Sequence, residues 1–191
     1  MTQPADPDRE REKGADPDRE REKGADPDRE WEKGADRERE RAIQLGYRAV
    51  GYRDRTVAEL RTFLERKRVE PEAIADAVEE LTAAGLLDDA RFARRFAEDK
   101  RELERWGTER IARDLHRRGI APDLIERVVS ERSREAELAT ALLLLEQRMP
   151  APRDDRERDR AWRLLVRRGY DAEVAYEAVR RHESGGERRA A

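Results

Sequence analysis

The sequence predicts an all-α protein built as an array of helical repeats. From Arg37 to His182, apolar residues recur three and four positions apart, which is the spacing of one helix face. The alternation of a half-buried strand and the Asn-Gly or Asp-Gly signals of hairpins are missing there. The chain also repeats itself, because "HRRGIAPDLIERVV" at 116–129 has a near copy, "VRRGYDAEVAYEAV", at 166–179.

The N-terminal segment differs in composition from the rest of the chain. Residues 5–34 are three tandem copies of the decapeptide "ADPDREREKG", with Trp31 in place of an arginine in the third copy. Each copy offers only alanine as an apolar group, and its proline and glycine interrupt a helix. Residues 1–40 carry a net charge of −5 and the remainder +2. We predict a disordered charged arm over residues 1–36. The alternative is an acidic segment that attracts a basic partner electrostatically.

The first repeat, residues 37–85, is predicted to contain three helices. Its first helix is predicted from Arg37 to Val50, and a capping box of Thr56 and Glu59 begins the second helix. Pro71 begins the third helix, where its missing N–H costs little, and Gly85 ends it. The predicted apolar faces of these helices contain Ile43, Tyr47, Val50, Val57, Leu60, Phe63, Leu64, Ile74, Ala77, Val78 and Leu81.

The second repeat, residues 86–132, follows the same plan. Asp88 or Asp89 caps its first helix, Thr108 caps the second, and Pro122 begins the third. The residues predicted to face inward are Phe92, Phe96, Leu103, Ile111, Leu115, Leu124, Ile125, Val128 and Val129.

The third repeat is predicted over residues 133–183. Ser133 caps a long helix, Asp154 or Asp155 caps the next, and Asp171 begins the last. The residues predicted to face inward are Leu138, Leu142, Leu145, Met149, Trp162, Leu165, Val166, Val174, Ala178 and Val179.

The three repeats can be aligned on one glycine. The apolar positions around Gly119 recur around Gly169 at an offset of 50, and an earlier copy has Arg68 in the place of the glycine. One unit buries little surface by itself, whereas stacked units extend the core. We predict three tandem three-helix repeats forming an elongated, mildly curved array, with a flexible tail over residues 184–191. The alternative is one compact bundle in which the similarity reflects helix caps alone.

No residue pattern indicates catalysis, a cofactor or a metal site. The chain has no cysteine, only two histidines without a metal-binding spacing, and no glycine-rich phosphate loop. The paired aspartates lie at helix starts, where the helix dipole favours them. The sequence also lacks a membrane-length apolar run and a signal peptide. We therefore predict a non-enzymatic cytoplasmic protein without cofactor or metal.

Arginines are the remaining candidates for a binding surface. They recur on equivalent middle helices of the repeats, and such a surface suits a periodic polyanion. The alternative is that these cations solvate a helix face and complement the dipole. The residues predicted to contact a partner or DNA are Arg91, Arg94, Arg95, Arg110, Arg113, Arg117, Arg118, Arg160, Arg163, Arg167 and Arg168.

Four segments of the chain carry a family resemblance: "TVAELRTFL" at 56–64, "GLLDDARFARRFAEDK" at 85–100, "WGTERIARDLHRRGI" at 106–120 and "RRGYDAEVAYEAV" at 167–179. Together they resemble the RecX family, the bacterial regulators of the RecA recombinase. The resemblance implies three tandem three-helix repeats that bind the RecA–single-stranded-DNA filament as a monomer. It also implies suppression of strand exchange, ATP hydrolysis and the coprotease activity that triggers the SOS response in DNA repair.

Two other functions remain open from the residues alone. One is an autonomous DNA-binding protein that uses a three-helix unit in the major groove. The acidic or mixed third helix of each unit speaks against it, although weak contact with duplex DNA is expected. The other is a helical-repeat scaffold with protein partners only.

Overall fold

The computed structural model describes the backbone of residues 27–190 and the side chains of residues 31–186. That part of the chain holds nine α-helices and no strand, which confirms the all-α class. The helices are α1 Pro27–Tyr52, α2 Val57–Arg66, α3 Pro71–Ala83, α4 Asp89–Glu104, α5 Thr108–Arg117, α6 Pro122–Ser130, α7 Arg134–Arg148, α8 Asp155–Arg168 and α9 Ala172–Ala190.

The chain divides into two units, Met1–Asp36 and Arg37–Ala191. Residues 27–36 of the first unit belong to helix α1. Pro27 suits a first helical turn, and no further proline occurs before α1 ends. The disordered arm over residues 1–36 stays a prediction. Gly34 is tolerated inside the helix at a cost of about 1 kcal/mol. The rest of the predicted arm lies outside the described residues.

The second unit contains three separate hydrophobic cores. The first is formed by α1–α3, the second by α4–α6 and the third by α7–α9. The equivalent leucines Leu64, Leu115 and Leu165 are each fully buried in their own core. Three cores in place of one confirm the helical repeat array. We call the three groups of helices repeats one, two and three.

Two residues predicted to face inward are exposed instead. Leu103 is 80% exposed, because the buried positions of α4 are Ala93, Ala97 and Arg101. Leu103 follows Arg101 by two residues, which turns its side chain by about 200° around the helix. Tyr47 is 37% exposed, since α1 buries a neighbouring stripe of residues. Both predictions are wrong because helical spacing does not show which of two adjacent stripes a neighbouring helix covers.

The C-terminal helix α9 extends through the predicted tail. It reaches Ala190, and the flexible tail over residues 184–191 stays a prediction. No proline follows His182, and Gly186 comes so close to Ala151 that a Cβ would overlap it. Of the nine described helices, none combines the length and the apolar content needed to cross a lipid bilayer.

Most helix starts carry the predicted caps. Five side chains accept a hydrogen bond from the backbone N–H three residues later: Thr56, Asp88, Ser133, Asp154 and Asp171. Helix α5 differs, because its N-cap is Gly107 rather than the predicted Thr108, and no side chain of its own caps it. The Thr108 N–H donates instead to the Glu137 carboxylate of repeat three at 2.8 Å. The start of α5 is therefore capped by a different repeat.

Candidate partner interface

Repeats one and two meet where the C-terminal end of α5 lies on the N-terminal end of α2. Thr56 Oγ1 donates to the Arg118 carbonyl at 2.6 Å. The Arg118 guanidinium pairs with Glu59 at 2.6 Å, so the carboxylate of the predicted capping box serves the junction. A Cβ at Gly119 would overlap the Cβ of Ala58. Only glycine permits this close approach.

Repeats two and three meet in the same way, with the C-terminal end of α8 on the N-terminal end of α5. The Arg168 carbonyl accepts from Gly107 N–H at 2.9 Å, and the Gly169 carbonyl accepts from Glu109 N–H at 3.0 Å. Because a helix C-terminus is negative and a helix N-terminus positive, both junctions also align the helix dipoles favourably. One junction type therefore joins all three repeats.

These junctions explain why repeats two and three have the glycine and repeat one does not. Gly119 and Gly169 have positive φ angles of 78° and 85°, and each lies against the preceding repeat. Arg68, at the equivalent position of repeat one, has a similar φ of 57°, and its side chain is exposed. Within the described residues no earlier repeat presents a helix start to this end of α2, so a side chain fits there.

Arg118 and Arg168, two of the predicted arginines, bind across the junctions, and Arg110 does so from the wall of the groove described below. Besides its pair with Glu59, Arg118 places its guanidinium 5.1 Å from the ring centroid of Phe96 and 5.7 Å from that of Phe92. Arg168 donates to the Glu104 carbonyl at 2.6 Å. Their guanidinium groups bind within the protein and are less available to a partner than the neighbouring arginines.

Replacing Arg118 and Arg117 by alanine should have different effects on stability. We expect Arg118→Ala to lower the free energy of unfolding by about 1 kcal/mol, because a partly screened ion pair and two cation–π contacts are lost. Arg117 is 74% exposed and pairs with Asp114 within its own helix, so Arg117→Ala should change stability by less than about 0.5 kcal/mol. Urea unfolding of both variants measures the difference. Equal losses would contradict the junction role of Arg118.

Four other predicted arginines surround one groove on repeat two. Arg110, Arg113 and Arg117 come from α5, and Arg167 comes from α8 of repeat three. The groove has a volume of about 790 Å³. Its apolar lining is formed by Ala112, Pro122, Ile125 and Val129.

The arginines of the groove are held to different degrees. The guanidinium of Arg110 lies 3.8 Å from the ring centroid of Trp106 and donates to the Arg167 carbonyl at 3.5 Å. Arg113 donates from Nε to the Glu109 carbonyl at 3.3 Å, and its side chain remains exposed. Arg167 is exposed as well. Arg110 is thus a fixed wall of the groove, whereas the others can turn towards a ligand.

The remaining five predicted arginines lie outside this groove. They are Arg91, Arg94 and Arg95 on α4, and Arg160 and Arg163 on α8. Arg95 pairs with Asp54 at 3.2 Å and Arg163 with Asp159 at 2.9 Å. Because these pairs are exposed, they hold the side chains weakly and leave them able to bind elsewhere.

Sequence reasoning missed one buried arginine. Arg101 is 8% exposed and donates to the Val128 carbonyl at 3.2 Å, while its Nε has no partner. Burial lowers the pKa of its guanidinium, and the nearby charge of Arg132 lowers it further. Its position four residues after Ala97 on the buried stripe of α4 was the available signal.

Comparison with known proteins identifies the family. The family described as "RecX, first three-helix domain" matches residues 42–81, and "RecX, second three-helix domain" matches residues 88–129. "Regulatory protein RecX" of Deinococcus radiodurans is 37% identical over 142 residues, which are 74% of this chain and 68% of that protein. The protein of the same name from Trichlorobacter lovleyi is 36% identical over 127 residues, 64% of this chain and 82% of its own.

Solved structures show the same fold. The crystal structure of RecX from Lactobacillus salivarius superposes with a TM-score of 0.70 at 14% sequence identity, over 77% of this chain and 97% of that one. A second crystal structure of regulatory protein RecX gives a TM-score of 0.64 at 19% identity, over 75% of this chain and 71% of that one. The two sequence relatives, each more than 30% identical and covered over 68% and 82% of their length, show that the chain belongs to the RecX family.

Proposed function

We propose that this protein is a non-enzymatic regulator that binds the RecA–single-stranded-DNA filament and modulates its activities. Inhibition of strand exchange, ATP hydrolysis and coprotease activity is the expected direction. The names of its relatives, "Regulatory protein RecX", support a regulatory role. In this proposal it acts in the cytoplasm as a monomer without a cofactor, and contacts single-stranded DNA within or beside the filament.

The observation that carries the proposal is the recurrence of exposed arginines on α5 and α8. These helices are equivalent in repeats two and three, and one junction type joins each to the repeat before it. A filament presents acidic groups or phosphates at regular intervals, which a repeated cationic surface can meet at several points. The repeats in this proposal are residues 37–85, 86–132 and 133–183, and the cationic surface lies on the second and third of them.

Replacing four exposed arginines should weaken inhibition of RecA. The variant carries Arg113→Ala and Arg117→Ala on α5 together with Arg163→Ala and Arg167→Ala on α8. It spares Arg110, Arg118 and Arg168, which bind across the junctions. Because exposed charges each contribute modestly to binding, the concentration for half-inhibition should rise about tenfold. The measurements are RecA ATPase activity on single-stranded DNA and strand exchange, each titrated with wild type and variant.

A matched variant controls for total charge. It removes four exposed arginines from helices other than α5 and α8: Arg48→Ala, Arg127→Ala, Arg134→Ala and Arg180→Ala. We expect it to inhibit as the wild type does. No inhibition by the wild type at molar excess would contradict the proposed function. Equal inhibition by both variants would contradict the assignment of the surface.

Binding through a single major-groove helix is the less supported function. The third helix of repeat one, α3, carries Glu72, Glu79 and Glu80 on its exposed side and has no basic residue in its last turn. Such a helix would be repelled by phosphates. Tight, sequence-selective binding of naked duplex DNA in a gel shift would favour this alternative.

A further inference from the structure

The groove on repeat two combines an apolar floor with a cationic rim. Ile125 and Val129 line the floor, and Arg113, Arg117 and Arg167 stand around it. A phosphate backbone needs the cations alone and leaves an apolar floor in contact with water. An apolar side chain would cover the floor and gain free energy from its burial. The two features together suit a ligand that is both anionic and apolar.

The charge of the rim selects the sign of the ligand. Four arginines line the groove against two acidic residues, Asp114 and Glu126. Asp114 is already paired with Arg117 on the same helix. A volume of about 790 Å³ falls within the range of sites that enclose small ligands or short peptide segments.

We propose that this groove binds an acidic peptide segment through one large apolar side chain. The apolar side chain covers Ile125 and Val129, and carboxylates on either side of it meet Arg113, Arg117 and Arg167. Apolar anchors in a pocket, with charged groups at the rim, are the usual arrangement of a peptide-binding site. The site is defined by the chemistry of its occupant and does not depend on which larger protein carries the segment.

The groove also spans a junction between repeats. Arg167 belongs to repeat three, whereas the floor belongs to repeat two. Arg110 links the two repeats through its stack on Trp106 and its bond to the Arg167 carbonyl. A bound peptide therefore contacts both repeats, and its affinity should depend on a residue outside the repeat that forms the floor.

Peptide binding can be measured with fluorescent probes and the full chain. The main probe is a short fluorescein-labelled peptide of alternating aspartate and glutamate with phenylalanine at its centre. A second probe has serine at the centre, and a third has lysine in place of every acidic residue. Labelled oligothymidylate represents nucleic acid. Anisotropy titrations contain no recombinase, so a negative result here leaves the proposed function untouched.

We expect the phenylalanine peptide to bind about tenfold more tightly than the serine peptide, and the lysine peptide not to bind. The preference for phenylalanine should persist at high salt, because only the ionic part of binding is screened. Arg167→Ala and Arg117→Ala should each weaken binding about threefold. Arg156→Ala, which removes another exposed arginine of α8 outside the groove, should leave it unchanged. Circular dichroism verifies that each variant is folded.

Three results would overturn the inference. Equal binding of the phenylalanine and serine peptides would show that the apolar floor is not used. Unchanged affinity in both groove variants would place the binding elsewhere. Oligothymidylate that binds more tightly than the peptide and displaces it, with the same losses in the groove variants, would assign the groove to nucleic acid.

Discussion

Gly169→Ala should lower the free energy of unfolding by about 3 kcal/mol, the larger of two losses expected at the repeat junctions. The residue has a φ of 85°, which costs a side chain about 1 kcal/mol. A Cβ at this position would also lie 2.9 Å from the Cα of Arg110, and closer still to its backbone nitrogen. The end of α8 would have to move away from α5, which breaks the hydrogen bonds across the junction.

Gly85→Ala provides the matched control. Gly85 also ends a helix with a positive φ, 69°, but no atom lies within 4 Å of the position of its Cβ. We expect a loss of about 1 kcal/mol, from the backbone conformation alone. Urea unfolding followed by circular dichroism gives both values, and their difference isolates the close approach between repeats two and three.

Hydrogen exchange tests where the Gly169→Ala loss arises. The amides of Gly107 and Glu109 donate to carbonyls at the end of α8, so they should lose protection in Gly169→Ala and keep it in Gly85→Ala. Equal stability losses in the two variants, with protection of these amides unchanged, would show that the contact at Gly169 contributes nothing to the junction.

The three cores were predictable because they depend on local spacing. Leu64, Leu115 and Leu165 lie on apolar helix faces that the sequence displays within one or two turns, and each is buried as predicted. Helix starts were predictable for the same reason, since an N-cap side chain and the backbone N–H that it accepts from are three residues apart. The predicted cap of α5 was wrong because the acceptors for the N–H groups at its start come from repeat three, far along the chain.

The sequence showed that a glycine recurs at the same position of two repeats. It did not show that this glycine permits close contact with the preceding repeat. Gly119 approaches Ala58, and Gly169 approaches Arg110, each about sixty residues earlier in the chain. No local pattern specifies such a contact. The difference at Arg68 becomes meaningful only when the order of docking is known, because the first described repeat has no predecessor at that end of α2.

In the candidate interface, too, the sequence does not show which residues contact another repeat, as two pairs of adjacent arginines illustrate. Arg117 and Arg118 are adjacent and chemically identical, as are Arg167 and Arg168. One residue corresponds to about 100° around a helix, so the two members of each pair face different surroundings. Arg117 and Arg167 line the groove, while Arg118 and Arg168 bind the preceding repeat. Composition predicts a basic surface but cannot divide it between structure and binding.

Thr56→Val is expected to lower the free energy of unfolding by about 2–3 kcal/mol. The fully buried Thr56 hydroxyl accepts from Glu59 N–H at 3.1 Å and donates to the Arg118 carbonyl at 2.6 Å. Loss of a helix cap costs about 1 kcal/mol. Removing the donor from the Arg118 carbonyl adds about 1–2 kcal/mol, because a part-buried acceptor loses its side-chain partner. Valine keeps the shape, so packing changes little.

Ser133→Ala separates the two contributions. Ser133 caps α7 through the Ala136 N–H at 3.2 Å, and its side chain is exposed. This hydrogen bond stays within repeat three, in contrast to the bond from the Thr56 hydroxyl to the Arg118 carbonyl. Ser133→Ala should lower the free energy of unfolding by about 1 kcal/mol. Thr56→Ser keeps the hydroxyl and should also lose about 1 kcal/mol, for the buried methyl group. If urea unfolding gave Thr56→Val the same loss as Ser133→Ala, the hydroxyl would act only as a cap. The contact between α2 and α5 would then depend on Arg118 and Gly119 alone.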